Sequence, residues 1–318
     1  MGTQIRLKEV DQVEIHTLAD NYNDLLSMDS SEKLVRAMPV KDLEIKGCIL
    51  AEHGFSSLVK TTLGEETHEI FFDFGYSEVA VAYNIAMLGM DLSGVEASVL
   101  SHGHMDHFGG LLPVVESIPN KPLPLYVHPT AFRPNRYLKV GEVRIKFPPA
   151  RRDEWKEAGV EVKESAGPVL IANDTVLFLG EVERLTDFEK GMPNTYYEDE
   201  SGEHWDPIEE DTAIVMHLRG KGLVVLSGCS HAGIVNTVAY ARKVTGVDEV
   251  HAVMGGFHLT GPAFEAIIDK TIAGLQAFDP DCVIPAHCTG RKAVMAFEAA
   301  MPDQFMLNMS GTRFIFRA

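Results

Sequence analysis

Apolar positions along the chain follow two spacings. Short runs rich in β-branched residues, among them residues 97–100, 223–226 and 249–254, have the length and composition of buried strands. Elsewhere apolar side chains recur every three or four positions, as Val79, Tyr83, Ala86 and Met87 do, which is the spacing of one helix face. On these patterns strands are expected at 13–18, 55–61, 69–72, 125–128, 143–147, 169–171, 175–179 and 212–217, and a further one at 282–285. Helices are expected at 78–87, 111–118, 234–244, 263–277 and 292–300, with Pro113 in the first turn of its helix. Gly64-Glu65-Glu66 and Asn173-Asp174 have the composition of hairpin turns.

Two stretches break the pattern. Residues 27–46 are charged and weakly periodic, which suggests a surface insertion or lid. Residues 180–211 are rich in Glu and Asp and carry Pro193, Pro207, Tyr196, Tyr197 and Trp205; a loop this long in a compact domain reads as a functional cover. No linker or internal repeat is visible, so residues 1–318 are expected to form one domain with insertions at 20–47 and 180–211.

Composition narrows the function classes. With 318 residues and 45% hydrophobic content the chain can bury a large core. A formal charge of −18 opposes long-range attraction to polyanions, so no nucleic-acid partner is expected, while a small anionic substrate remains compatible. Basic residues gather at Arg133, Arg136, Lys139, Arg144, Lys146, Arg151 and Arg152, either as a solvated face or as a phosphate contact. Cys48, Cys229, Cys282 and Cys288 show no paired spacing and no disulfide framework, which fits a cytoplasmic location. The first residues lack the apolar stretch of a signal peptide, and no apolar run approaches the ~20 residues of a membrane span. The expected partner is a small-molecule substrate; homo-oligomers are compatible with the sequence.

The strongest chemical signal is Ser101-His102-Gly103-His104-Met105-Asp106-His107-Phe108-Gly109-Gly110. Three histidines and a carboxylate follow directly on an expected strand. If the chain stays extended past Leu100, His102 and His104 project to one side and can share a metal, since strand side chains repeat every two residues. Asp106 and His107 follow where the chain turns, pointing to a second position nearby. Later, three expected strand ends each deliver another histidine: His231, His258 and His287. Asp73 closes a strand just before Gly75, either as a turn residue or as a carboxylate that orients a ligand histidine. Asp20 lies in the turn-forming cluster Asp20-Asn21-Tyr22-Asn23-Asp24, which favours a turn or cap over a place facing the site. His128, alone at a strand end, reads as structural.

Ser101 to Gly110 resembles the signature of the metallo-β-lactamase superfamily. Gly54-Phe55-Ser56-Ser57-Leu58-Val59, Phe72-Asp73-Phe74-Gly75, Gly228-Cys229-Ser230-His231-Ala232-Gly233, Gly255-Gly256-Phe257-His258-Leu259 and Pro285-Ala286-His287-Cys288-Thr289-Gly290 resemble further blocks of one subgroup. That subgroup is typified by a synthase joining a dihydropterin to ribofuranosylaminobenzene 5′-phosphate. The resemblance implies an α/β fold, a four-layer αββα sandwich with two mixed β-sheets flanked by helices. It also implies two divalent metal ions, zinc first, with iron or manganese as alternatives. By the order of superfamily motifs His231 completes the first metal position and His287 the second, beside His102, His104, Asp106 and His107. Asp106 and His258 are the catalytic candidates.

One departure stands out. Many superfamily members carry a bridging Asp where this chain has Cys229, so the thiol could ligate, or solvent alone could bridge; Asp211 is a further candidate. The expected function is a dinuclear metal-dependent enzyme, synthase-like, acting on a small phosphorylated or pterin-like substrate. The alternatives are a generic metallo-hydrolase (phosphodiesterase or lactonase) and, behind both, a di-iron oxidoreductase.

Overall fold

A computed structural model describes residues 4–41, 43–45 and 47–318. Two large sheets lie face to face. One has eight strands in the order Val160–Glu164, Leu123–Val127, Val95–Val99, Glu66–Phe72, Ser56–Leu63, Gln12–Ala19, Arg313–Arg317, Leu34–Val35. The other runs Val169–Ile171, Val176–Phe178, Ala213–Leu218, Gly222–Ser227, Val250–Gly256, Cys282–Ala286, with Glu9–Val10 pairing parallel to Ala213–Leu218. Both sheets mix parallel and antiparallel neighbours.

The alternation of strand side chains sorts the core into layers. Val13, Ile15, Val59, Ile70 and Phe72 face Ile214, Met216, Val224, Leu226 and Met254 across the two sheets. Leu58 and Phe71, on the opposite face, pack with the helices Ala80–Leu88 and Leu111–Ser117 through Val81, Ile85, Leu111 and Val115. On the far side Val215, Val225 and Val253 meet Val238, Ile272 and Phe297 of the helices Ile234–Thr245, Ile268–Gln276 and Arg291–Ala300. The result is the expected α/β layering of helix, sheet, sheet, helix.

Three expectations are corrected. Residues 180–211 are not a plain loop: Thr195–Asp199 and Gly202–Trp205 form a hairpin that joins Arg136–Val140 and Val143–Lys146 in a separate four-stranded sheet. Its cross-strand contacts are cations over aromatic rings, Lys139 on Tyr196 and Arg133 on Tyr197, each 4.3 Å from the ring centroid, not an apolar alternation. The helix expected at 263–277 is two, Pro262–Glu265 and Ile268–Gln276. The break turns Phe264 toward His258 while Ile268, Ile272 and Leu275 enter the core. The basic cluster is divided: Arg144, Lys146 and Arg151 are exposed, as a solvated face requires, whereas Arg133 pairs with Asp206 and Glu209, and Arg136, 3% exposed, pairs with Asp206 and Glu210. Asp42 and Lys46, within the 20–47 insertion, lie outside the described residues.

Candidate metal centre

The site collects where four parallel strands of the two sheets end. Val95–Val99 releases the Ser101 to Gly110 loop, and Gly222–Ser227, Val250–Gly256 and Cys282–Ala286 release the later histidines. His104 caps a one-turn helix, Met105–Phe108, which carries Asp106 and His107. Gly103 allows this loop to seat: a Cβ there would lie 2.2 Å from the Ala131 carbonyl oxygen and 2.7 Å from Arg136 Nη1.

Donor atoms converge in overlapping groups. Asp106, His107, His287 and Cys229 present ligand atoms within 4.8 Å of one another, and so do His102, His231 and Cys229, and His102, His104 and Asp106. Cys229 Sγ sits 3.2 Å from His107 Nε2, and His231 Nε2 lies 3.3 Å from His102 Nε2. A fourth group, Cys229, His258 and Cys288, shares the same sulfur. Cys288 fits beside Cys229 because Gly256 has no side chain; a Cβ there would stand 2.6 Å from Cys288 Sγ.

The surrounding residues hold these donors in orientation. Asp73 Oδ2 accepts from His107 Nδ1 at 2.6 Å and from Ser101 Oγ at 2.7 Å, while Oδ1 accepts from Ser101 N. Its carboxylate thereby turns His107 Nε2 toward the donor group. Asp20 is buried, not a surface turn residue. Its Oδ1 accepts from His287 N at 2.7 Å, and Asn308 donates to Oδ2. Asn21 Nδ2 donates to the His287 carbonyl. Asp211 accepts from Ala232 N, directly after His231, and stays outside the donor groups. His128 stands apart from them, capping a 3₁₀ turn against Thr130. Asp73, Ser230, His258 and His287 all hold left-handed backbone, with φ between 44° and 57°.

Electrostatics follow from burial and crowding. Burial pushes the pKa of His104 down to about 4, against the attraction of Asp106. It drives His102 well below its ordinary value, helped by repulsion from the crowded imidazoles around it, His107 first. Burial also opposes charge on His107, but Asp73 and Asp106 outweigh it and lift that pKa to about 9. For Asp106 burial is likewise outweighed, by His107 and His287, and the carboxyl stays ionised far below its usual range. Asp211 is raised to about 6 by burial.

The donors fit a metal. His104 Nε2 and His231 Nδ1 are buried without hydrogen-bond partners, and His287 Nε2 lies 3.3 Å from Asp106 Oδ2. A set of imidazoles with one ionised carboxylate and a thiol is the ligand set of zinc and its neighbours.

A family model described as the metallo-beta-lactamase superfamily matches residues 79–242. The chain belongs to this superfamily. Among curated relatives of this superfamily member, 27% identity over 95% of the chain and 96% of the relative links it to the 7,8-dihydropterin-6-methyl-4-(beta-D-ribofuranosyl)-aminobenzene-5′-phosphate synthase of Methanocaldococcus jannaschii. An uncharacterised protein of the same organism is 31% identical over 77% of the chain and 86% of its own length. Among solved structures, a metal-dependent hydrolase of the beta-lactamase superfamily superposes with a TM-score of 0.73 at 24% identity, covering 96% of this chain and all of that one. Zn(2+)-bound PqqB from Methylobacterium extorquens superposes with a TM-score of 0.51 at 12% identity, covering 96% of this chain and all of that one. These two show the shared fold.

Sequence reasoning did not single out Ser101, Asn21, Cys288, Phe147 or the pair Arg136 and Glu210. Phe147 closes over His104, its ring centroid 4.9 Å away. Glu210 accepts from Gly103 N at 3.4 Å, and Arg136 packs behind Gly103. Ser101 and Cys288 had a readable signal, their places beside His102 and His287, and Asn21 follows Asp20; Phe147, Arg136 and Glu210 are brought in from distant sequence.

Proposed function

We propose that the chain is a metal-dependent enzyme with a two-ion centre, acting on a small phosphorylated or pterin-like molecule. The observation that carries this reading is the meeting of two donor groups at Cys229, with buried imidazole nitrogens left unpartnered around it. The likeness to the named synthase along nearly the whole chain supports a substrate of the kind that name describes.

In this reading His102, His104 and His231 would hold one ion and Asp106, His107 and His287 the other, with the Cys229 thiol available to either group. Zinc suits these donors, with iron or manganese as alternatives. Ions bound there supply Lewis acidity that lowers the pKa of water and polarises a substrate oxygen. The protein's residues supply the rest. Asp73 fixes the tautomer of His107, and Asp20 and Asn21 fix the backbone that presents His287. Asp106 keeps its negative charge at the centre. His258 lines the adjoining cavity, 4.3 Å from His231 between ring centroids, where its imidazole can hold or deliver a proton at a substrate atom. Residues 180–211 wall that cavity and exclude water, residues 20–47 form a second insertion, and the whole is one domain working in the cytoplasm without nucleic acid.

Metal analysis and product analysis test this together. The purified protein is expected to hold about two ions per chain, and His104→Ala to lose metal and turnover. Turnover unchanged in His104→Ala with metal still bound overturns the reading. Coupling of a dihydropterin to an aryl phosphate marks a synthase, and hydrolysis of phosphodiesters or lactones marks a hydrolase.

A further inference from the structure

Beside the metal centre two cavities, of about 370 and 730 Å³, meet along Glu189, Lys190 and Trp205. The smaller reaches His231 and His258 and is walled by aromatic rings, Phe188, Trp205 and Phe264. The larger carries Arg184. Both have the size of small-molecule sites; the smaller has their apolar lining, and the larger is lined largely by charged residues.

Their charges are unusual for this chain. In a protein of net charge −18 most cations near the site are neutralised: Arg133 and Arg136 by Asp206, Glu209 and Glu210, and Arg144 by Glu198 and Glu203. Among the described residues Arg184 and Lys190 make no ion pair. Arg184 donates to the Pro207 carbonyl, and Lys190 Nζ donates to the Thr186 carbonyl at 3.3 Å. The loop is shaped around the guanidinium: a Cβ on Gly191, whose φ is +82°, would stand 2.6 Å from Arg184 Nη1 and 3.6 Å from the Trp205 ring. The carboxylates of the same cavities are mostly engaged. Glu183 pairs with Lys243 and Glu209 with Arg133; Glu189 has no ion pair among the described residues but accepts from Val235 N and Asn236 N, and Glu181 has no ion pair there either. The charge of Arg184 reaches Asp211 and His231, so the cation lies within electrostatic range of the centre.

We infer that Arg184 and Lys190 are the specificity-determining residues of this site, binding the phosphate monoester of an aromatic substrate whose ring lies against Trp205, Phe188 and Phe264. The inference rests on the metal-enzyme reading for what happens next to the substrate, but not for its binding. Arg offers a planar fork that matches two phosphate oxygens, and Lys adds a mobile point charge. Flat rings against aromatic walls supply the apolar part of the affinity.

The chain reports on this itself. Its two tryptophans differ, Trp155 being 3% and Trp205 43% exposed, so a ligand in the cleft changes Trp205 emission. Phenyl phosphate, benzoate and benzyl alcohol are titrated against the protein as purified and against Arg184→Gln, Lys190→Gln, the double variant and Arg184→Lys, with Trp205→Phe as the control for the signal. Phenyl phosphate is expected to bind more tightly than benzoate, and its Kd to rise about tenfold or more in the double variant, the size of a lost pair of charge-assisted hydrogen bonds. Arg184→Lys should recover part of that loss, and benzyl alcohol should not distinguish the proteins. Equal phenyl phosphate affinity in the wild type and the double variant, or benzoate binding as well as phenyl phosphate, overturns the assignment. Metal content and the turnover of His104→Ala are measured on the same preparations. Metal-dependent turnover with unaltered phenyl phosphate binding in the variants sinks this inference alone. Phosphate-selective binding that the variants lose, together with turnover that does not depend on metal, sinks the metal-enzyme reading alone.

Discussion

Replacing Asp73 by Asn tests how the centre is held. The change is nearly isosteric and keeps an acceptor for Ser101 N, which Asp73 Oδ1 serves at 2.7 Å. It places an amide NH₂ where Oδ2 now accepts from His107 Nδ1 at 2.6 Å. Two N–H groups cannot face each other there, so the imidazole shifts its proton to Nε2, the nitrogen 3.2 Å from Cys229 Sγ. A protonated Nε2 cannot ligate. Loss of a carboxylate behind a ligand histidine typically costs 10–100-fold in metal affinity, roughly 1.4–2.7 kcal/mol. The assay is competition against a chelator of known affinity, read as metal retained per chain, with circular dichroism to confirm the fold. Retention within about twofold of wild type would refute the argument that Asp73 sets the tautomer.

The same residue controls a pH response. In chelated protein His107 has a folded pKa of about 9, above the ~6.5 of an unfolded histidine. Its contribution, on the order of 3 kcal/mol, is therefore fully present below pH ~6.5 and is lost as pH rises through about 9. The difference between wild type and Asp73→Asn in denaturant titrations should shrink over that window, and a flat difference counts against it. Arg136→Met leaves Glu210 as a buried carboxylate without an ion pair and Asp206 with Arg133 alone, and should cost about 3–5 kcal/mol of unfolding free energy, seen as a lower denaturation midpoint. Cys229→Ser should lower metal retention at both positions, because its sulfur belongs to the groups around His102 and around His107; loss of a single ion would show that it serves only one.

Much of the scaffold was legible because it is repetitive. Strands such as Gly222–Ser227 and Val250–Gly256 are continuous apolar runs buried on both faces, and each ends where its polar loop begins. His231 and His287 were visible for the same reason, since a histidine at the carboxyl end of a buried strand has few structural excuses. The hairpin inside residues 180–211 was hidden because its strands are held by Arg, Lys and Tyr partners some sixty positions away, which local periodicity does not register. The supports of the centre were hidden likewise: Asp20 reaches His287 across 267 positions, and Glu210 reaches Gly103 across 107. A turn-forming cluster such as Asp20-Asn21 looks the same whether it caps solvent or braces a ligand.

The left-handed backbone at Asp73, Ser230, His258 and His287 has a consequence for how such a protein ages under selection. Each of these conformations costs an L-residue roughly 1–2 kcal/mol, so the four together weigh about 4–8 kcal/mol against a usual stability of 5–15. A lineage that no longer needed the chemistry would gain robustness by drifting to glycine there, and a screen for heat resistance that ignores turnover would find the same exits first. His258→Gly is thus expected to melt higher than the parent. Four strained residues at or beside the donor groups make this a place where stability and chemistry pull apart.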